Sequence, residues 1–273
     1  MNRLSFTIIV LSVVGCDNAA PDGSLQPPAE PHAAPTAGPA VNNERQMATT
    51  FDSLYSDFVI ASFDKQLRMA DVHGDDSWGF DKTQGVITFG ESVAYKIQIL
   101  GTEDHVAETW MWGWANKASE IPEELLTVAH NLRSYGEEHS ISQLTNAKAS
   151  LADVDGHTVS LIASGFVDGR AYYRCPYENG ALFVLITDPT LKLPVDDAAI
   201  RATRVIPECI SALEILNHRR ATEAYLRQTG FDVADNDGNV TGSSGGAAVV
   251  TVRFDKMNRL IEIKTHLEPE NGT

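Results

Sequence analysis

The chain has 273 residues and a formal net charge of −16, because 37 aspartates and glutamates outnumber 21 lysines and arginines. Phosphate backbones and anionic lipid head groups repel such a protein, so the charge argues against nucleic-acid binding. A cation or a basic protein is electrostatically acceptable as a partner, although an acidic surface can also serve only to keep a protein soluble.

The first 16 residues have the order of a secretory signal. Arg3 supplies a positive charge, residues 4–14 form an apolar stretch, and Cys16 closes the segment. The apolar stretch is shorter than the roughly 20 residues that a membrane-spanning helix needs. Its closing sequence, Val13-Val14-Gly15-Cys16, resembles the lipobox of bacterial lipoproteins.

The lipobox resemblance implies that residues 1–15 are removed and that Cys16 is acylated on its sulfur and on its new amino group. Each buried methylene contributes about 0.8 kcal/mol, so three acyl chains give an effectively permanent anchor. We therefore expect a lipid-anchored envelope protein that faces the periplasm. Asp17 resembles the signal that keeps enteric lipoproteins in the inner membrane, which favours that membrane. An ordinary cleaved signal and an uncleaved anchor are the alternatives.

Residues 16–46 are predicted to form a disordered tether that begins with the lipidated cysteine. Proline, alanine, glycine and polar residues dominate it, and Leu25 and Val41 are the only sizeable apolar side chains after Cys16. Such a segment buries too little apolar surface to offset the entropy of ordering it. Residues 47–273 are then the globular part, which is long enough for one substantial core.

The globular part is predicted to start with a helix and to continue as an antiparallel meander. Apolar residues follow helical spacing from Phe51 onward, and Gly74 can end the helix. Residues 93–99 alternate between apolar and polar types, as in a strand with one buried face. Strands are predicted over 77–81, 85–90, 93–99 and 106–115, with a turn at 101–104.

Further helices are predicted after the meander. One should run over residues 122–136, and Asp153 or Asp155 can cap the next. A longer helical region over residues 196–230 should kink or split at Pro207, which lacks a backbone N–H.

Two hairpins complete the prediction. Glu178-Asn179-Gly180 separates two predicted strands, residues 171–177 and 181–187, and Asn-Gly is a strong hairpin signal. A glycine-rich link over 237–246 precedes a closing hairpin over 247–265. Helices and antiparallel hairpins without a βαβ rhythm indicate the α+β class, in a single globular domain after the tether.

The stretch Thr109–Asn116 contains three of the four tryptophans of the chain. On a strand, Trp110, Trp112 and Trp114 would share one face. They form either an aromatic platform that binds a sugar, peptide or cation beside Asn116, or a wall of the hydrophobic core. Aromatic stripes more often face the core, so the core wall is favoured.

This tryptophan block and several shorter pieces resemble a bacterial family of uncharacterised domains that is marked by a W-x-W-x-W-A-N motif. The pieces are Gly101-Thr102, Thr109–Asn116, Gly136-Glu137, Leu144-Thr145 and Tyr173-Arg174-x-Pro176, and the similarity spans roughly Ser53 to Gly230. The family has no established activity, so the resemblance implies no site residue. The leader, the tether and the last hairpin lie outside the bare domain.

Other candidate sites rest on weaker patterns. One cluster consists of Asp71, His73, Asp75 and Asp76. Such residues can bind a divalent metal ion, but they more often form a polar loop with a capping role, which is the favoured interpretation. Cys175 and Cys209 could form a disulfide in an oxidising envelope or could be buried thiols. Zinc, Walker, Rossmann and nucleophile-elbow spacings do not occur, so we assign no catalytic residue and expect no cofactor.

The sequence as a whole favours a non-enzymatic envelope lipoprotein that binds a basic protein, such as a toxin that it neutralises or an envelope component. The tether, the acidic charge and the lack of a catalytic motif support this hypothesis. The alternative is a periplasmic hydrolase or a carbohydrate-binding protein that uses the tryptophan face. A cleft open to solvent beside the three rings would favour the alternative.

The anchor hypothesis predicts that Cys16→Ser blocks processing of the protein or releases it from membranes, since no acyl chain can then be attached. Membrane fractionation with a high-salt wash measures this, with wild-type protein as the control. Normal processing of the variant together with salt-resistant membrane binding would contradict the lipobox interpretation.

Overall fold

A computed structural model describes residues 48–244 and 248–267. The predicted signal and tether, Cys16 among them, lie outside these residues, as does the end of the predicted glycine-rich link. No helix within the described ranges is long and apolar enough to cross a membrane.

Four helices begin at side-chain caps that satisfy their first free N–H groups. Thr50 forms a reciprocal capping box at the first helix, and Asp155, Asp197 and Asn217 cap three later helices. The helices are α1 (Phe51–His73), α2 (Thr127–His139), α3 (Ser142–Thr145), α4 (Gly156–Phe166), α5 (Ala198–Ala212) and α6 (His218–Gln228). Their arrangement with two antiparallel sheets confirms the α+β class in one globular domain.

The longest strand organises the first sheet. The strands of this sheet are β1 (Trp78–Asp81), β2 (Val86–Phe89), β3 (Val93–Asp104), β4 (Thr109–Trp112), β5 (Lys148–Ser150), β6 (Ala171–Tyr177) and β7 (Gly180–Ile186). All pairs are antiparallel, and β3 pairs with β2, β4 and β7. A bulge between Ile99 and Gly101 puts Leu100 and Gly101 on the same side of β3, so the strand contributes to the cores on both faces of the sheet.

The second sheet is a four-stranded meander. Its strands, which pair in chain order, are β8 (Asp232–Asn236), β9 (Asn239–Ser244), β10 (Ala248–Phe254) and β11 (Leu260–Leu267). Most of the predicted glycine-rich link therefore forms β9 and the turn before it. Asp237 and Gly238 both have positive φ in this turn, as a two-residue hairpin loop requires.

Two hydrophobic cores fill the space around the first sheet. One core packs α1, α2 and α4 against Trp110, Trp112 and Phe183. This core extends through α5 and α6 to the second sheet. The other core lies on the opposite face of the first sheet and contains Phe89 and Val184.

Two predicted boundaries need correction. The chain turns after Asp104, not at 101–104, because Gly101 continues β3 and admits the Trp110 ring. The predicted fourth strand accordingly covers only residues 109–112. Gly136 lies inside α2, where the absence of a Cβ lets Leu144 of α3 approach, and the helix ends at His139.

Pro207 does not split the helical region. It lies inside α5, and the break between α5 and α6 falls later, at residues 213–217. Proline removes one hydrogen bond of the helix, and packing of α5 on α1 and the second sheet offsets this cost.

Two ion pairs join α1 to the last two helices. Asp64 accepts hydrogen bonds from Arg201 of α5 at 2.6 Å and from Arg68 at 3.2 Å, and Asp64 and Arg201 are both buried. Asp57 binds both Nε and Nη2 of Arg220 on α6, at 2.6 and 2.8 Å. Such bidentate pairs fix the relative orientation of the helices.

We predict that Arg201→Met lowers the free energy of unfolding by about 3 kcal/mol, because Asp64 would stay buried with one of its two arginines removed. Arg204→Met is the matched control on the same helix, since Arg204 is exposed and, among the described residues, pairs only with Glu208. That control should cost less than about 1 kcal/mol. Equal denaturant midpoints for the two variants would contradict the assigned role of Arg201.

Candidate functional site

The three tryptophans of the W-x-W-x-W block lie inside the core. Trp110 and Trp112 have no exposed surface, and Trp114 is 8 % exposed. Trp110 makes edge-to-face contacts with Trp112 and Phe183, with ring centroids 5.6 and 5.9 Å apart. The chain leaves the strand after Trp112 and forms a 3₁₀ turn over Gly113–Ala115, in which Trp114 stacks on Trp112.

This burial corresponds to the core-wall alternative and gives a ligand no open ring face on Trp110 or Trp112. The Nε1 of Trp112 donates to the backbone oxygen of Gln143 at 3.1 Å, which ties the ring to α3. Asn116 is half-buried and ends the 3₁₀ turn through its backbone N–H. The four residues proposed as an aromatic platform therefore build the core wall and the turn that follows it.

The D-x-H-x-D-D cluster forms the end of α1. His73 Nδ1 lies 2.8 Å from Asp76 Oδ2, and its Nε2 lies 3.0 Å from the Tyr95 hydroxyl, so both ring nitrogens have partners. The ring also stacks on Phe89, while Asp71 and Asp75 are exposed. No group of three or more possible metal ligands occurs in the part of the chain that the structure describes.

Cys175 and Cys209 are both free and buried. They belong to different cores, with Cys175 on β6 and Cys209 on α5, so no disulfide joins them. Burial raises the pKa of the Cys175 thiol to about 12 and also raises the pKa of Cys209. Both residues act as small apolar side chains, which was the other alternative for them.

Three loops meet at one end of the first sheet and bring together charged residues that are far apart in sequence. They are the β3–β4 turn (104–108), the β5–α4 loop (151–155) and the β6–β7 turn (178–179). His105 N donates to the backbone oxygen of Asn179 at 2.8 Å, and Leu151 N donates to that of Glu108 at 2.9 Å. We call this region the acidic loop end.

Glu103 lies at the base of the acidic loop end. Its side chain is 8 % exposed, and Oε1 accepts a hydrogen bond of 2.7 Å from Gly156 N, at the start of α4. The partial positive charge of a helix N-terminus stabilises a carboxylate there. Oε2 accepts from His105 Nε2 at 3.0 Å, and the His105 side chain is 42 % exposed. Glu103 can therefore fix the tautomer and orientation of a solvent-accessible imidazole.

His157 lies behind this pair in the first turn of α4. Its Nδ1 is 2.9 Å from the hydroxyl of Tyr172, and Gln66 of α1 binds the backbone of Tyr172 through both atoms of its amide. Burial lowers the pKa of His157 and Arg174 acts in the same direction, while Asp155 and Glu103 oppose the shift. His157 is thus a neutral, structural histidine at neutral pH.

Exposed side chains surround these groups. Glu108, Asp153 and Glu178 are exposed acids, one on each of the three loops. Two apolar side chains are exposed beside them, Val106 at 78 % and Tyr177 at 50 %. The acidic loop end therefore combines exposed carboxylates with exposed apolar surface.

A shallow pocket of about 500 Å³ adjoins the acidic loop end between α3 and β5. Gln143, Asn146, Lys148 and Asp153 supply most of its polar lining. The lining contains no cysteine or histidine, and its one serine at 142 hydrogen-bonds to Gln143. The pocket offers polar contacts and no arrangement of nucleophile and base.

Sequence reasoning missed the acidic loop end. Glu103 was assigned to a turn, and His105 and His157 have no motif spacing. The alternation of Glu103 and His105 at the end of a strand was a usable signal, since residues two apart on a strand share a face. The contact between Gly156 and Glu103 depends on how α4 packs on the sheet, and local sequence patterns do not encode that packing.

Comparison with known proteins adds a family assignment. The sequence model of DUF6882, a family of unknown function, matches residues 52–189, which is half of the chain. The match begins where the resemblance was expected to begin and ends before α5, whereas the resemblance was expected to reach Gly230. Searches of curated proteins and of solved structures found no match.

The buried histidine predicts a pH dependence of stability. Because folding lowers the pKa of His157, the unfolded chain binds the proton first, and stability is lost as pH falls through the unfolded pKa toward the folded one. We expect the free energy of unfolding to drop between pH 7.5 and 5.5, and the drop to be smaller in His157→Gln. The His130→Gln variant is the control, because its side chain is 41 % exposed, and it should change the drop less than His157→Gln does. Identical drops in all three proteins would contradict the prediction.

Proposed function

We propose that this chain, which belongs to the DUF6882 family of unknown function, is a membrane-anchored envelope lipoprotein that binds a basic protein partner. The binding is non-enzymatic, and an immunity-type role, in which the partner is a basic toxin, is one form of it. A basic component of the envelope is the other form.

The distribution of charge is the observation that carries this proposal. Residues 52–189 contain 21 aspartates and glutamates against nine lysines and arginines, whereas residues 190–267 contain ten of each. The negative charge of the described residues is therefore concentrated in the family segment. A surface of one charge sign attracts an oppositely charged partner and speeds its association.

Within the family segment, the acidic loop end is the best candidate for the contact surface. Glu108, Asp153 and Glu178 come from three loops that backbone hydrogen bonds hold together. None of the three makes an ion pair with another residue in the described ranges, so their side chains can contact a partner without first breaking such a pair. Val106 and Tyr177 supply apolar contact area at the same place.

The anchor completes the proposal. A lipobox at Cys16 followed by a proline-rich segment of about 30 residues would hold the domain within about 90 Å of the membrane surface, since such a chain spans about 3.1 Å per residue. A partner that approaches or crosses the envelope would then meet the protein there. The competing hypothesis of a tryptophan platform for sugars loses its main support, because the rings of Trp110 and Trp112 are buried.

Neutralising the acidic loop end tests the proposal. We expect full-length wild-type protein to retain a basic protein from envelope extract at low salt and to release it as salt rises. The combined variant Glu108→Gln, Asp153→Asn and Glu178→Gln should lose this protein, because three unpaired charges are removed from the contact surface.

The matched control neutralises three exposed acids at the opposite end of β3, with Asp71→Asn, Asp75→Asn and Glu91→Gln. It removes the same net charge, so it should still retain the basic protein. Equal retention by both variants and the wild type would overturn the assignment of the surface. Failure of wild-type protein to retain any basic protein would overturn the proposed function.

A further inference from the structure

The outer strand of the second sheet has an unpaired edge. β11 is eight residues long and pairs only with β10 among the described residues. An edge strand of this length presents backbone N–H and C=O groups that another strand can bind. Its Ile261 side chain is 53 % exposed, and Ile200 of the neighbouring helix α5 is 58 % exposed.

We propose that β11 pairs with β11 of a second copy of this chain, antiparallel and about a two-fold axis at Ile263. The two four-stranded sheets then form one continuous sheet. Because the two-fold axis is perpendicular to the sheet, the polar faces of both copies lie on one side of the continuous sheet and their apolar faces lie on the other side. The contact is isologous, so the same residues contribute from each copy.

The charges on β11 select this register. With Ile263 opposite Ile263 of the second copy, Glu262 lies opposite Lys264 of the second copy, and the reverse pair forms on the other side of the axis. A shift that centres the axis on Glu262 would place two glutamates opposite each other, and a shift to Lys264 would place two lysines opposite each other. Opposite charges across a strand pair are favourable and like charges are not. In one chain these two side chains already pair at 2.9 Å, so they lie on the same face.

The end of β11 adds a smaller apolar contribution. The pairing with β10 is irregular at Ile261, which has no register partner between Glu262 and Leu260, whereas residues 262–267 pair regularly. In the proposed register Ile261 comes level with Thr265 of the second copy, so pairing buries part of the surface that Ile261 exposes in a single copy.

The other edge of the sheet lacks these properties. β8 carries Asp232 and Asp235, no lysine or arginine, and a largely exposed set of side chains. Because β8 carries no cation, antiparallel pairing of β8 with itself forms no opposite-charge pair in any register. Self-complementarity of charge is thus specific to β11, and this is why we assign a second copy and no other partner to that edge.

Two single charge reversals test the register. We expect the full-length chain in detergent to sediment as a dimer, and Glu262→Lys or Lys264→Glu alone to weaken association roughly tenfold or more, because each reversal creates two like-charge pairs. An equimolar mixture of the two variants should again form dimers, since the new lysine at 262 then faces the new glutamate at 264. Asp232→Lys, on β8, is the control and should leave association unchanged.

Monomeric wild-type protein at tens of micromolar, unchanged association of either single variant, or no dimer in the mixture would each overturn the proposal. Backbone hydrogen exchange of the wild-type full-length chain provides a test without substitutions. Protection of residues 260–266 should increase with protein concentration, while protection of β8 should not. Protection of β11 that is independent of concentration would also refute pairing with a second copy.

Discussion

The packing of Trp110 on Gly101 is the contact on which the rest of this fold depends. A Cβ at position 101 would collide with the backbone oxygen of Met111 and with the Trp110 ring, so only glycine allows β3 and β4 to pair with the ring between them and the helices. Trp110 then positions Trp112 and Phe183 through edge-to-face contacts. Large buried aromatic side chains of this kind dominate the energy of a core.

The position of this aromatic wall determines where chemistry can occur. The rings of Trp110 and Trp112 pack toward α1, α2 and α4, so a ligand cannot reach the aromatic face that the sequence offers as a binding platform. The charged residues of the candidate site lie instead at the end of the sheet. There Glu103 accepts a hydrogen bond from the backbone N–H of Gly156, the first residue of α4. That bond joins the sheet to the helix, and the three loops around it carry exposed acids. In many proteins, loops at one end of a rigid scaffold carry the binding residues.

Much of the fold could be predicted from the sequence, because many of its elements carry local signals. Alternation over residues 93–99, the cap at Asp155 and the hairpin of β6 and β7 each correspond to an element at the predicted place, although the hairpin turn is Glu178-Asn179 and Gly180 already belongs to β7. The fold class and the single domain were predicted from the same signals. The tether and the lipidation of Cys16 stay predictions, since they lie outside the described residues.

The errors have a shared physical origin. Gly101 was interpreted as a turn residue, but its role is to admit a ring from the neighbouring strand, which is a tertiary contact. β8 and β9 were missed because serine, glycine and asparagine outweighed the Asp237-Gly238 hairpin signal. Pro207 is predicted to kink or split the helical region, but α5 continues through it because the helix is packed on α1 and on the second sheet. The acidic loop end arises from three loops brought together by the fold, so a single sequence could not reveal it.

Hydrogen exchange of the tryptophan indole N–H groups, measured by NMR on the full-length native protein, tests most directly whether the W-x-W-x-W block is core. The indole N–H groups of Trp110 and Trp112 should exchange as slowly as the core backbone amides of β3, because both rings are fully buried and that of Trp112 is hydrogen-bonded to Gln143. Half-buried Trp78, at the edge strand β1, should exchange much faster. Fast exchange at Trp110 and Trp112, equal to that of Trp78, would show that the rings are open to solvent and would contradict the account.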